Sequence, residues 1–173
     1  KRIEIAKKKL NEYSIQIVEI DQYKDKISSY LDIISEYEFT TNWTNDMKIQ
    51  YLNNPVNFGN LLVSKGEADG LVAGAVTSTA EVIRSAIRTI GINDSSKWVS
   101  SLFFMISPDG DKSYTFSDCA VIPEPSSEQL VSIAAESAKF HYLTTREEPR
   151  VAFLSFSTMG SADHYRVDKV REA

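Results

Sequence analysis

The residues best suited to chemistry lie in a strand-to-helix corner that reads VTSTAEVIR over 76–84. Ser78 is followed three residues later by Glu81, the spacing of a capping box, so a helix is predicted to start at Ser78 or Thr79. First-turn N–H groups lack partners inside the helix, and the helix dipole adds partial positive charge there. The corner therefore suits an anion, and Arg84 is near enough in sequence to direct its guanidinium to the same place.

Two interpretations of this corner remain open. In the first, Arg84 and the free amides bind a phosphate or a carboxylate. In the second, the corner is an ordinary capped helix in which Glu81 and Arg84 form a surface pair at i, i+3. The spacing alone does not separate them.

A second corner follows the apolar run RVAFLSF and reads STMGSA over 157–162. The loop resembles a phosphate nest, because glycine permits close backbone approach and hydroxyls surround it. It lacks the GxxxxGK[ST] spacing of a Walker loop, and an ordinary connecting loop is the alternative. Two such corners in one chain favour a polyanionic ligand, and we expect both corners to bind it. The residues of the loop are Ser155, Ser157, Thr158, Gly160 and Ser161.

Other reactive side chains have plainer interpretations. Asp118 and Cys119 could form a reactive pair, but a local hydrogen-bond acceptor beside a small buried residue is the interpretation we favour. His164 could act as a base, although it also fits a solvated position at a helix start, and His141 fits a structural role within a helix. With two scattered histidines and one cysteine, no metal site is expected.

The elements that would position these corners alternate between helix and strand. Two small apolar runs, Gly70–Val76 and Arg150–Phe156, are typical of strands buried on both faces, and Ser14–Ile20 alternates as a strand does. The pattern predicts a mixed α/β sheet covered by helices. The predicted helices are Lys1–Leu10, Lys24–Phe39, Asn45–Leu52 capped by Thr44, Asn57–Lys65 closed by Gly66, Glu128–Leu143 after a second capping box at Ser126–Gln129, and Asp163–Ala173.

A hairpin is the clearest local prediction. Trp98–Ile106 and Tyr114–Val121 flank the turn sequence SPDGD. Before it, the polar stretch Gly91–Lys97 is the best boundary between two lobes, so we expect one part over 1–91 and another over 92–173.

Composition narrows the class of protein. The 173 residues carry a net charge of −5, which argues against a nucleic-acid binder. No apolar run reaches membrane-spanning length, so no membrane partner is expected. The lone Cys119 excludes an intramolecular disulfide and fits a reducing cytoplasm.

Three long motifs carry a family resemblance: GEADGLVAGAVTSTAEVIRSAI (66–87), FSDCAVIPEPSSEQLVSIAAESAKF (116–140) and RVAFLSFSTMGSA (150–162). Together they resemble the phosphate acetyltransferase and butyryltransferase family. The resemblance implies a three-layer, two-lobed α/β fold like that of isocitrate and isopropylmalate dehydrogenases, and a homodimer. It also implies the reversible reaction of acetyl phosphate with coenzyme A (CoA) to give acetyl-CoA and phosphate, with CoA as a substrate and no bound cofactor.

The resemblance also implies roles for particular residues. Arg84 is similar to a family arginine that engages phosphate or CoA, and Ser78 and Thr79 match the hydroxyl pair before it. The remaining matches, at the acyl phosphate site, are Ser157, Thr158, Gly160 and Ser161.

Several departures from the family pattern qualify this expectation. Met159 stands where the family usually has lysine, and Ser85 stands where it often has proline. The family's later Asp and Ser-Arg segment has no counterpart before Ala173. The chain begins at Lys1 without an initiator Met, and Val167–Ala173 ends without a helix stop signal. We therefore expect a central fragment, incomplete at both ends, in which the catalytic residues and general base are not identified. The alternatives are a non-catalytic acyl-CoA-binding regulatory domain like that fused to malic enzymes, and a fragment that only folds and dimerises.

Overall fold

The computed structural model describes residues 27–94, 96–158 and 161–173, together with positions 15 and 20. The chain divides into two compact units, Lys1–Gly91 and Ile92–Ala173. The predicted helix Lys1–Leu10, and the predicted strand Ser14–Ile20 apart from its residues Ile15 and Ile20, lie outside the described residues.

The first unit is helical wherever it has regular structure among the described residues. Helix α1 spans Ile27–Ser35, α2 Asn45–Leu52, α3 Pro55–Ser64 and α4 Thr79–Thr89, with a short 3-10 turn at Glu38–Thr40. The prediction for α2 is confirmed residue for residue. Helix α3 begins two residues before the predicted start at Asn57, because Asn54 caps it and Pro55 is its first residue. The helix predicted over Lys24–Phe39 ends earlier, at Ser35.

Local side-chain chemistry explains where these helices begin and end. The Thr44 hydroxyl accepts a hydrogen bond from the Met47 amide at 3.3 Å, and Asn54 Oδ1 accepts from the Val56 amide at 2.9 Å. Gly66 follows α3 with a φ of 70°, a left-handed conformation that closes helices and that glycine adopts without steric cost.

The core of the first unit joins α1, α2 and α3. Its buried apolar side chains are Tyr30, Ile34, Leu52, Phe58 and Leu61. Tyr30 meets Phe58 edge to face, with ring centroids 5.4 Å apart, an arrangement that aromatic quadrupoles favour. The helices that precede the first corner are therefore held together by ordinary apolar burial.

The second unit contains the hairpin. Strand β1, Leu102–Ile106, pairs antiparallel with β2, Ser113–Ser117, and Phe103 lies opposite Phe116. The hairpin prediction is confirmed, with strands shorter than expected. Helix α5, Ser127–Thr145, packs on one face of the hairpin, and α6, Tyr165–Glu172, follows the serine-rich loop.

Contacts between the hairpin and α5 use Phe104 and His141. The rings of Phe104 and Phe140 meet edge to face at 5.9 Å, and His141 Nδ1 lies 3.0 Å from the Thr115 hydroxyl. His141 is thus a packed helix residue, as predicted. Helix α6 is tied to the segment before α5, because Arg166 forms an ion pair with Glu124 at 2.9 Å and Lys169 pairs with the same carboxylate.

Two predicted strands are wrong. Gly70–Val76 and Arg150–Phe156 form no strand, and their side chains are exposed, with Val72 fully open and Leu154 80% exposed. A buried strand needs neighbours that bond its backbone and cover both faces, and no described residue pairs with either segment.

The fold over the described residues is therefore mixed α/β, with six α-helices and a two-stranded sheet. The predicted three-layer sheet is absent from this part of the chain. None of its helices is long and apolar enough to cross a membrane.

Asp118 ties the end of the hairpin to the segment that leads to α5. Its carboxylate accepts hydrogen bonds from the amide and hydroxyl of Ser101 and from the amides of Ala120, Val121 and Ile122, the last at 2.8 Å. Burial acts to raise the pKa of Asp118, but these hydrogen bonds outweigh it and lower the pKa to about 2. The predicted role as a local acceptor is confirmed. Cys119 is half-buried rather than buried, and its thiol donates to the Phe116 carbonyl.

We expect Asp118→Asn to lower the free energy of unfolding by roughly 2 kcal/mol at neutral pH, because the amide nitrogen cannot accept the Ile122 N–H. The folded pKa lies below the ordinary value, so this stability is present above about pH 4 and is lost as the pH falls toward 2. Urea unfolding of both proteins from pH 7 to pH 3 measures the difference. Asp111→Asn, an exposed neighbour, is the control, and an equal effect of both substitutions would contradict the prediction.

Candidate anion-binding corners

The first corner forms the predicted capping box at the start of α4. The Ser78 hydroxyl accepts from the Glu81 amide at 3.3 Å, and the Glu81 carboxylate accepts from the Ser78 amide at 3.1 Å. The same carboxylate also accepts from the Ser78 hydroxyl at 2.7 Å. The predicted helix start is confirmed, with Ser78 as the cap and Thr79 as the first helical residue.

The capping box changes what this corner can bind. Glu81 places a carboxylate over the first turn, and the hydrogen bond from the Ser78 hydroxyl is the largest cause that lowers its pKa. Glu81 therefore stays ionised and occupies part of the space in which an external anion would sit. The amides of Thr79 and Ala80 have no acceptor within the helix, so they are the donors left for a ligand.

Arg84 lies on the exposed side of α4. No ion pair joins it to Glu81 in this described helix, so the alternative of a direct surface pair is wrong, although attraction to Arg84 is a minor cause of the low pKa of Glu81. The guanidinium is available to solvent a short distance along the helix from its first turn. It is the positive group of this corner.

The second corner is a self-bonded turn. The Ser157 hydroxyl accepts from the Ala162 amide at 3.0 Å and lies 3.3 Å from the Ser161 hydroxyl. The Ser155 hydroxyl donates to the Ser157 carbonyl at 3.0 Å and accepts from the Ser157 amide at 3.2 Å. These contacts hold the serine hydroxyls in fixed positions, while the exposed Thr158 supplies its carbonyl to the Ser161 amide. Gly160 and Met159 lie outside the described residues.

His164 caps α6 directly after this turn. Its Nδ1 accepts from the Arg166 amide at 3.2 Å, and the ring is exposed beside Phe156. Nδ1 is therefore engaged in capping the helix. The interpretation as a solvated helix-start residue is confirmed.

The structure thus brings Ser78, Thr79 and Arg84 together on α4, and Ser157, Thr158 and Ser161 together in the turn before α6. No cluster of metal-ligating side chains occurs within the described ranges. A cavity of about 310 Å³ in the second unit, walled by Trp98, Leu102 and Phe140, contains none of the predicted site residues.

The sequence analysis missed the polar side chains that hold α4 in place. Ser85 and Thr89 are buried, and they bond to Asn60 and Tyr51 respectively. The only sequence signal for them is that the two hydroxyl residues are four positions apart, a spacing that places both on one face of the helix.

A solved structure with a similar fold belongs to a known class of enzyme. EutD phosphotransacetylase from Staphylococcus aureus is a solved structure similar to this chain, with a TM-score of 0.71 and 41% sequence identity. The similarity covers 84% of this chain and 43% of that one. The class of protein that the fold resembles is therefore a phosphotransacetylase.

Sequence comparison identifies the family. The model described as phosphate acetyl/butaryl transferase matches residues 1–173. The phosphate acetyltransferase of Thermoanaerobacterium thermosaccharolyticum is 40% identical over 159 residues, covering 89% of this chain and 48% of that protein. The phosphate acetyltransferase of S. aureus strain Mu50 is 46% identical over 130 residues, covering 75% of this chain and 39% of that protein. The chain belongs to the phosphate acetyl/butaryl transferase family, which confirms the resemblance, and it spans less than half the length of these relatives.

We expect Glu81→Gln to raise the affinity of the first corner for inorganic phosphate about fivefold, because the substitution removes a negative charge that repels the ligand from the first turn of α4. Glutamine also completes a capping box, so thermal stability should change little. Calorimetric titration with phosphate measures the affinity. Glu36→Gln removes the same charge from an exposed position outside α4 and serves as the control; equal phosphate affinities in all three proteins would refute the competition.

Proposed function

We propose that this protein is a phosphate acyltransferase that transfers an acetyl group between acetyl phosphate and CoA. The observation that carries the proposal is the family match over residues 1–173, together with relatives named phosphate acetyltransferase at 40% and 46% identity. The two corners support it, because each offers donors of the kind that bind phosphate.

The reaction sets two tasks for the protein. The CoA thiol loses its proton to a base, and the thiolate attacks the carbonyl carbon of acetyl phosphate. A C–S bond forms, and the bond between the carbonyl carbon and the oxygen that bridges it to phosphorus breaks. Phosphate leaves with the electron pair of that bond. Donors must hold the phosphate and stabilise the charge on the acyl oxygen. The described residues suit the second task, and we assign no residue to the first.

In the first unit, we assign the binding of a phosphate group, on the acyl donor or on CoA, to Arg84 and to the first turn of α4. Arg84 supplies a planar, permanently charged guanidinium, which suits phosphate oxygens. Thr79 supplies an amide and a hydroxyl at the helix start. Ser78 acts through the cap, because its hydroxyl is engaged with Glu81.

In the second unit, we assign the acyl phosphate to the turn before α6. Ser157, Thr158 and Ser161 supply hydroxyls, and the mutual bonds of Ser157 and Ser161 fix two of them before a ligand arrives. Gly160 would allow close backbone approach. Donors placed in advance stabilise developing charge without a cost of reorganisation. We further propose a homodimer and a cytoplasmic location.

We expect Arg84→Ala to weaken CoA binding by the 173-residue protein at least tenfold, since a hydrogen bond to a charged group contributes about 1.5–3 kcal/mol. Arg88→Ala removes the same charge from the same helix and should change the affinity less than about twofold. Calorimetry with CoA measures both values. Formation of acetyl-CoA from acetyl phosphate and CoA is then followed at the thioester absorbance.

Each outcome bears on a different part of the proposal. Equal effects of Arg84→Ala and Arg88→Ala would contradict the role of Arg84. CoA binding without acetyl-CoA formation would contradict catalysis by this chain and would leave an acyl-CoA-binding module. Absence of binding to both CoA and phosphate would overturn the proposal altogether.

A further inference from the structure

Two hydroxyl groups join helix α4 to the neighbouring helices of its unit. Its two buried residues are Ser85 and Thr89, which are 5% and 4% exposed. Ser85 Oγ accepts from the side-chain amide of Asn60 at 2.9 Å, and Asn60 is itself only 2% exposed. The Thr89 hydroxyl lies 3.3 Å from the Tyr51 hydroxyl. Neighbouring Val82, Ile83 and Ala86 are half-buried.

Directional bonds constrain a helix differently from apolar contacts. An apolar face can roll slightly about the helix axis with little loss of buried area, whereas a hydrogen bond weakens steeply away from its preferred angle. Ser85 and Thr89 are one turn apart and bond to α3 and α2 respectively. Two such bonds along one line fix the roll of α4 about its axis.

The roll of α4 decides where Arg84 points. Arg84 precedes Ser85, so it lies about 100° around the axis from the buried bond. A roll of about 20° moves a group at the outer radius of a helix, about 6 Å from the axis, by about 2 Å. A shift of that size is large compared with the range over which a hydrogen bond to phosphate keeps its strength.

We propose that Asn60 and Ser85 are positioning residues that set the direction of Arg84 by fixing the roll of α4. The pair is distinct from the capping box, which fixes where the helix begins and not how it is turned. This inference rests on the proposed function only for its consequence in ligand binding. The direction of residue 84 is a structural quantity that can be measured without a ligand.

The test removes both partners together. Ser85→Ala alone leaves the buried Asn60 amide unpaired and destabilises the unit, whereas Asn60→Ala with Ser85→Ala removes both polar groups and keeps good helix formers. The control pair, Tyr37→Phe with Ser64→Ala, removes a solvent-exposed hydrogen bond of 2.9 Å in the same unit that does not involve α4.

The first readout is a distance between two nitroxide labels in the full 173-residue chain. The labels are attached at Arg84→Cys and Asp46→Cys, with Cys119→Ser to remove the native thiol. We expect the Asn60/Ser85 double variant to shift or broaden the distance distribution by about 2 Å or more, and the control pair to leave it unchanged. An unchanged distribution in a double variant that keeps the wild-type urea midpoint would overturn the positioning role.

The second readout is CoA affinity in the unlabelled proteins, measured by calorimetry. We expect the double variant to bind CoA roughly fivefold more weakly and the control pair to bind like the wild type. If Arg84→Ala binds CoA as tightly as the wild type, the proposed function of Arg84 fails, and the label distances still decide the positioning role. If Arg84→Ala weakens binding and the double variant does not, the positioning inference fails.

Discussion

The need to satisfy the first amides of a helix decides where α2 to α6 begin. Thr44, Asn54, Ser78, Ser126 and His164 each accept a hydrogen bond from an amide in the first turn that follows. At Ser78 and Ser126, the side chain of the residue at the third helical position also accepts a hydrogen bond from the backbone amide of the serine. Because these partners lie within three residues of each other, the positions of the helix starts depend on short stretches of chain.

The same requirement shapes the first corner. A helix start attracts anions because its amides lack partners. In the capping box, the carboxylate of Glu81 already accepts a hydrogen bond from one of these amides, that of Ser78. The cap thus engages the amides of Ser78 and Glu81 and leaves those of Thr79 and Ala80 for a ligand. The turn before α6 behaves similarly, since the hydroxyls of Ser157 and Ser161 bond within the turn. Both corners are held in shape by contacts among their own residues.

Local chemistry was predictable and non-local pairing was not. The capping boxes at Ser78 and Ser126 and the hairpin turn follow from residues a few positions apart, and the structure has all three. Gly70–Val76 and Arg150–Phe156 have the composition of buried strands, but a strand forms only beside a partner, and composition does not supply one. The Asn60–Ser85 hydrogen bond joins residues 25 positions apart, so no short sequence pattern predicts it.

The exposed apolar segments have a consequence for the isolated chain in solution. Val72, Val76, Leu154 and Phe156 are open to solvent on backbone that bonds to no other described segment. Unpaired N–H and C=O groups flanked by apolar side chains are templates for intermolecular β-pairing, and no charged residue lies within 70–76 or 151–156 to oppose it. Purified alone and concentrated, the 173-residue chain should therefore form oligomers rich in cross-chain sheet, and their abundance should grow with protein concentration.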